Sequence, residues 1–444
     1  MSNSLRKSLV RDLERIARDS QIASRTPGLV AGVARESELV WSTAIGVADL
    51  DDPQVPLGPD TQFLVASNTK TFTAAMIMQL RDEGRLDLDD RLETHLPGVE
   101  HGTVTVRQLL VHGSGMQREP VGDVWDTLEF PDRAGLVDGW NKAERIGRPH
   151  LVWHYSNLGF SLLGELVARL DGREWAESLQ TRLLDPVGLK RSGLTLTAPH
   201  SGQYYVAPFT DVPVREPLLD KGATAAAGAL CSTLADMMRW HQFLLDPDEA
   251  VLRKDTVEEM LTPQLLVDGS WTGAWGLGFQ LVRKDGRIWF GHTGGLPGGI
   301  TGFFSETTSG VSAGVLNNAT NAVAPDATAV ALGSLVVERD PALPTPWTPG
   351  TTTPDGLTEL TGRWFSEGAG FTFVIRGGEL QARLDRAPDS APWSRFTQLE
   401  PDVYRTVAGR EKGERLVVHR HPDGSVRQLN WATYKFTREP LPFG

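Results

Sequence analysis

Strand-forming runs stand at both ends of the first three quarters of this chain, and helix-forming ones fill the stretch between them. "GLVAGVARE" (28–36) and "ELVWSTAIGVAD" (38–49) are two β-like runs parted by a short polar break, the pattern of a hairpin. From about 67 to 262 the signals are mainly helical, with expected helices at 69–83 stopped by Gly84, 158–170 stopped by Gly172 and 232–245 stopped by Pro247. Strand signals return in "GLGFQLVRKDGRIWFGHTGG" (276–295), where Asp285–Gly286 is a hairpin turn, and continue in "GITGFFSE" and "GVSAGVLNN". "VAPDATAVALGSLVVER" closes this part as a helix, and an amphipathic helix over 5–17 opens it. Sheet-forming pieces so far apart in sequence can pair only if the helical middle is carried as an insert. The expected architecture is α+β, with two lobes and a cleft between them.

After Arg339, "DPALPTPWTPGTTTPDG" places five prolines in seventeen residues, which reads as a stiff exposed linker over 339–356. From 357 to 444 short strands recur with turn signals at Gly377–Gly378 and Asp423–Gly424, the pattern of a small antiparallel barrel or sandwich. The expected division is therefore 1–338, a linker at 339–356, and 357–444. Trp364, Trp393 and Trp431 fit aromatic core packing in the last part better than a binding cavity.

The formal charge of −12 and pI near 5.4 argue against a nucleic-acid or anionic-membrane partner. Cys231 is the one cysteine, so no internal disulfide forms, and its apolar neighbours suit a small buried side chain. The charged N-terminus "MSNSLRKSLVRDLERIARDS" has no signal-peptide core, and no apolar run is long enough to span a bilayer. These features set the expectation of a cytoplasmic soluble protein.

Chemistry concentrates at three places. In "LVASNTKTFTAAMIMQLRDEG" (64–84), Ser67 stands three residues before Lys70 at the start of an expected helix. That spacing puts the amine beside the hydroxyl, and the helix N-terminus adds free N–H groups suited to an anionic intermediate. The spacing alone is weak, since Ser67 also suits an N-cap and Ser4–Lys7 repeats it in the polar N-terminal helix. A Tyr-x-Asn, Tyr155 to Asn157, precedes another amphipathic helix, and "WFGHTGG" places His292-Thr293-Gly294 on a strand among small residues that let a ligand approach the backbone.

Ser-x-x-Lys, Tyr-x-Asn and a His-Thr-Gly, in this order and in these settings, resemble the motif set of the serine β-lactamase/penicillin-binding-protein superfamily. The likeness is to its class C-like branch, with D-aminopeptidases, D,D-carboxypeptidases and β-lactamase-fold esterases. It covers roughly residues 25–338 and includes "LLVHGSG", "LLDPVGLKRSGL" and "AAAGALCSTLADMMRW". The C-terminal part resembles, less specifically, lipocalin-like domains appended to some members. Ser4–Lys7 is then the coincidence.

The resemblance implies a β-lactamase-like two-lobed serine hydrolase domain. It makes Ser67 the nucleophile of an acyl-enzyme, Lys70 its base, and Tyr155 a partner in base duty and deacylation. It places the oxyanion hole at the backbone N–H groups of Ser67 and Gly295, and substrate contacts at Asn157, His292, Thr293 and Gly294. No metal or organic cofactor is implied. Where many relatives carry Lys-Thr-Gly, this chain has His292, whose largely neutral imidazole weakens recognition of a substrate carboxylate. The expected activity is hydrolysis of peptide or amide bonds in small-molecule or short-peptide substrates. Carboxylesterase or acyltransferase action on small esters is the alternative, and an acylated binding protein or sensor without turnover a further one. Oligomeric state is not readable from the sequence.

Overall fold

The computed structural model describes residues 5–344, 346–350 and 352–441, which divide into two compact units, Met1–Ala342 and Leu343–Gly444. In the first, eight antiparallel strands lie side by side in the order Glu38–Gly46, Gly28–Arg35, Val311–Asn317, Gly299–Glu306, Arg287–Leu296, Gln280–Lys284, Gly273–Trp275 and Leu265–Leu266. The N-terminal hairpin thus docks on the last strand, in register from Leu29 opposite Asn317 to Arg35 opposite Val311.

Period-2 alternation decides what each face meets. Leu29, Ala31 and Val33 pack with Leu9, Leu13 and Ala17 of the helix Lys7–Ser24 and with Val330 and Val336 of the helix Pro325–Arg339. Val30 and Ala34 turn the other way, toward a core that includes Phe72 and Met76. With both faces covered, every residue of Gly28–Arg35 is buried, which is why that run is continuously apolar. Asp285 (φ 50°) and Gly286 (φ 76°) take the two left-handed conformations that a tight hairpin turn of this kind needs.

The helical lobe centres on Thr69–Asp82, one residue short of the expected end. Asn157–Asp171 stops at Gly172, whose φ of 70° is the left-handed cap that glycine adopts without strain. The expected helix at 232–245 begins later, at Leu234, because Thr233 caps it and Cys231–Ser232 pairs as a short strand with Phe63–Leu64. The N-terminal helix runs beyond 17 to Ser24. No helix among the described residues is long and apolar enough to cross a membrane.

In the second unit, eight antiparallel strands, from Gly362–Ser366 to Tyr434–Phe436, follow one another in chain order. Reciprocal hydrogen bonds of 2.8 and 3.0 Å between Phe365 and Thr437 bring the first strand to the chain just past the last, so the barrel is nearly closed. Its core holds Trp364, Phe373, Phe396, Trp431 and Phe436. Trp393 is not in that core: it lies half-buried with Arg376 and Arg383 over its ring, at 4.2 and 4.8 Å.

Candidate active site

The short strand Phe63–Leu64 runs into a sharp turn at Ala66, whose φ of 48° is unusual for a residue with a Cβ. One turn of 3-10 helix, Ala66–Asn68, then feeds the helix Thr69–Asp82. The turn leaves Ser67 half-exposed while Ala66, Asn68, Thr69 and Lys70 are buried. Such a backbone persists only where its surroundings hold it. Asn68 Nδ2 donates to Val65 O (3.0 Å) and Thr301 Oγ1 (2.9 Å), and Thr69 Oγ1 donates to Ala66 O (2.6 Å) while accepting from Leu230 N (3.0 Å). Gly294 presses against the same turn so closely that a Cβ there would lie 2.2 Å from Val65 O.

Helical spacing brings Lys70 back to this turn. Its Nζ donates to Ser67 Oγ at 3.1 Å, Asn157 Oδ1 at 2.8 Å and Ala227 O at 2.5 Å. Burial is complete and pushes the ammonium's pKa well below the usual lysine range; Glu119 opposes the shift, and Lys221 and Arg118 add to it. Asn157 opens its helix behind the cap of Ser156, whose Oγ accepts from Gly159 N at 3.0 Å. Its amide spans two charges, because Nδ2 donates to Glu119 Oε1 at 2.7 Å while Oδ1 accepts from Lys70.

Tyr155 lies with its ring 4.9 Å from Lys70 Nζ and is packed against His112 (4.2 Å) and Trp275 (5.9 Å). Burial raises its pKa far above the ordinary phenol value, while a hydrogen bond with Ser67 pulls the other way. The hydroxyl is therefore neutral at rest. His112 accepts from Ser156 N at 3.0 Å through Nδ1, which puts its proton on Nε2, and burial holds the ring neutral.

Ser67, Tyr155, Asn157, Thr293, Gly294 and Gly295 converge on one cleft of about 700 Å³. His292 is not in its wall. Only 1% exposed, it sits edge-on to Tyr155 (6.1 Å) with Nδ1 on the Thr293 carbonyl, and burial lowers its pKa to about 3. The imidazole backs the tyrosine rather than facing a ligand. Ser4 lies outside the described residues, so its pairing with Lys7 is not seen; Cys231 is 3% exposed, its thiol pushed up to about 12.

The cleft also holds residues that the sequence reading did not single out. Arg118, Glu119, Trp125, Trp153 and Trp275 line it, and Asp326 stands in its wall at the start of the helix Pro325–Arg339. Trp153 had a local signal, two residues before Tyr155. Glu119 had none, because only the tertiary fold brings "QREP" beside Asn157.

A serine, lysine and tyrosine meeting where an antiparallel sheet joins a helical lobe define the serine β-lactamase/penicillin-binding-protein superfamily. Residues 13–337 match the family model for Beta-lactamase, and the chain belongs to that family. Residues 353–438 match a Domain of unknown function (DUF7586). The chain is 29% identical over 286 residues to Beta-lactamase-like protein 2 of Dictyostelium discoideum, covering 59% of this chain and only half (50%) of that protein. It is 29% identical over 345 residues to Penicillin-binding protein 4 of Amycolatopsis lactamdurans, covering 71% and 87% of the two. With the D-aminopeptidase of Brucella anthropi it shares 28% over 284 residues, 61% and 52% of the two chains. Among solved structures, the octameric penicillin-binding protein homologue from Pyrococcus abyssi is similar in fold over 97% of this chain and 100% of its own, with a TM-score of 0.67 at 20% identity. A D-stereospecific amidohydrolase from Streptomyces sp. is similar over 71% of this chain and 98% of its own, with a TM-score of 0.61 at 25% identity.

Proposed function

We propose that this chain hydrolyses amide bonds of small substrates that carry a free amino group, through an acyl-enzyme on Ser67. One observation carries this reading: an unbroken hydrogen-bonded line from Ser67 through Lys70 and Asn157 to Glu119, along a single cleft. Ser67 Oγ attacks the substrate carbonyl while Lys70 Nζ, 3.1 Å away and made a poor holder of protons by burial, accepts the hydroxyl proton. The oxyanion forms against the backbone N–H groups of Ser67 and Gly295. Tyr155, a neutral phenol beside both Ser67 and Lys70, relays that proton to the departing nitrogen. With the amine gone, water attacks the ester carbonyl, its proton passing through Tyr155 and Lys70 to Ser67 Oγ as the Oγ–acyl bond breaks, and the acid leaves.

Glu119 defines the substrate end. Arg118 Nε (3.3 Å) and Asn157 Nδ2 (2.7 Å) both bind its Oε1, which leaves Oε2 for a substrate donor. A carboxylate there, with Asp326 also lining the cleft, suits an ammonium group. The name of the D-stereospecific amidohydrolase among its relatives supports an amide, and that of the D-aminopeptidase one with a free amine.

The test is intact-protein mass spectrometry and product analysis with D- and L-amino-acid amides, their N-acetylated forms and small esters, using wild type and Ser67→Ala. A transient adduct lost in Ser67→Ala, with free-amine amides turned over and acetylated ones refused, is expected. Ester hydrolysis without amide hydrolysis would shift the activity to an esterase, and an adduct that never clears would shift it to a sensor.

A further inference from the structure

Lys221 is nine-tenths buried, at 9% exposure, and no ion pair involving it is found among the described residues. Its Nζ rests on two aromatic faces, 3.4 Å from the Phe130 ring centroid and 4.8 Å from that of Trp125. A lysine this deep without an anion is costly, and cation–π contact returns only part of what water supplied. Its surroundings are a binding region. Trp125, Phe130 and Lys221 wall a narrow side pocket that also touches Ser67, Glu119 and Asn157. Neither ring borders the wider aliphatic cavity of about 430 Å³ on the far side of Lys221. The ammonium head therefore belongs to the side pocket, a few bonds' reach from the nucleophile.

Chemistry connects this pocket to the acyl part of the substrate. If Glu119 holds the α-ammonium, as the proposed function has it, the side chain leaves from the same carbon and so begins beside Glu119. Glu119, Asn157 and Lys221 line that one side pocket together. Thr224, Ala227 and Gly228 complete its walls, around a space of about 30 Å³.

We propose that Lys221 is the specificity-determining cation of an acyl-side-chain subsite, and that the preferred substrates are amides or peptides whose amino-terminal residue has a carboxylate-bearing side chain. The substrate carboxylate supplies the direct ion pair that Lys221 lacks among the described residues, where Glu119 acts on it only across the pocket. Burial lowers the lysine's pKa to about 8, with Glu119 pulling it back up, so the group is still mainly a cation at neutral pH.

The experiment compares matched amide pairs, glutamate against glutamine and aspartate against asparagine in both configurations, on wild type, Lys221→Met and Lys221→Arg at neutral pH. Wild type is expected to favour the acid over its neutral isostere about tenfold in kcat/KM. That ratio should fall to about one in Lys221→Met and return in part in Lys221→Arg, with melting temperatures confirming that each variant folds. Calorimetric titration of Ser67→Ala with the same pairs, alone and combined with Lys221→Met, reads the subsite without turnover. A tenfold affinity difference lost with Lys221 upholds the inference even if no amide is hydrolysed, in which case the proposed function fails by itself. Hydrolysis with no preference for the acid, or a preference for leucine and phenylalanine amides that Lys221→Met leaves alone, overturns the inference and makes the region an apolar side-chain pocket.

Discussion

In the barrel, Trp364 and Trp431 bury their indole N–H groups on good acceptors, Leu360 O and Thr406 Oγ1, each at 2.8 Å. In the first unit, Trp41, Trp153, Trp175, Trp275 and Trp289 bury theirs with no acceptor. The same holds beyond tryptophan: among the described residues, the buried side-chain nitrogens and oxygens without partners all belong to the first unit. Ionisable side chains follow the same division. The barrel pairs its ions near the surface, as in Arg395 with Glu379 and Arg420 with Asp402, whereas the first unit buries Lys70, Lys221, His112, His241 and His292. An interior chosen for stability alone satisfies its polar groups or excludes them. The first unit carries unpartnered groups both around the cleft, as at His112 and Trp275, and in its helix-covered core, as at Trp41 and Trp289. Its Trp140 and Trp240 do find acceptors, in Glu100 O and Thr71 Oγ1.

The sharpest way to break this comparison is to remove its most costly group. Lys70→Met is expected to lower kcat by about a thousandfold, while the melting temperature holds or rises because a buried charge is gone. A fall in stability equal to the loss of activity would mean that the lysine serves the fold. Trp431→Ala makes the opposite test in the barrel: it leaves a cavity and an unpartnered Thr406, with an expected cost of about 3–5 kcal/mol in chemical denaturation. A loss below about 1 kcal/mol would show the barrel core to be loosely packed. Gly294→Ala comes next. Its Cβ would collide with Val65 O, shifting the strand edge from the nucleophile turn, and about a hundredfold loss of kcat/KM is expected from that displacement.

The last test is a pH dependence of stability. His241 and His292, with pKa values lowered to about 3 by burial, and His112, lowered well below its usual value, are neutral in the fold. Once unfolded they titrate near 6.5, so below that pH the unfolded chain binds more protons and the fold loses stability, down to the folded pKa values. His241 and His292 each contribute a slope of about 1.4 kcal/mol per pH unit between pH 6 and pH 4. His241→Gln should remove one such share in denaturation curves at the two pH values, and an unchanged slope would show that the ring is already protonated in the fold.

Local signals carried the core of the site, and distant packing carried the rest. Ser67 and Lys70 were legible because helical spacing alone joins them, and Tyr155, Asn157 and Thr293 because each lies at the edge of a strongly patterned helix or strand. Glycine after the Asn157 helix and Asp285–Gly286 in the hairpin marked their turns by backbone conformation, which a sequence records directly. Glu119 and Lys221 gave no such sign, since their positions depend on loops whose course the helical lobe sets. His292 was legible as a motif residue but not as a buried one, because an alternating strand does not announce which face will be covered. Trp393 misled for the same reason: a strand-rich stretch full of aromatics does not say which ring stays outside the barrel.

Asn157 joins Lys70 to Glu119 through one amide, and Glu119 is the nearby charge that favours Lys70 keeping its proton. The cation that the proposed function places at Glu119 would cancel that support and lower the lysine's proton affinity further. On the proposed function, recognition and arming would be a single event, with docking of the right charge releasing a safety catch.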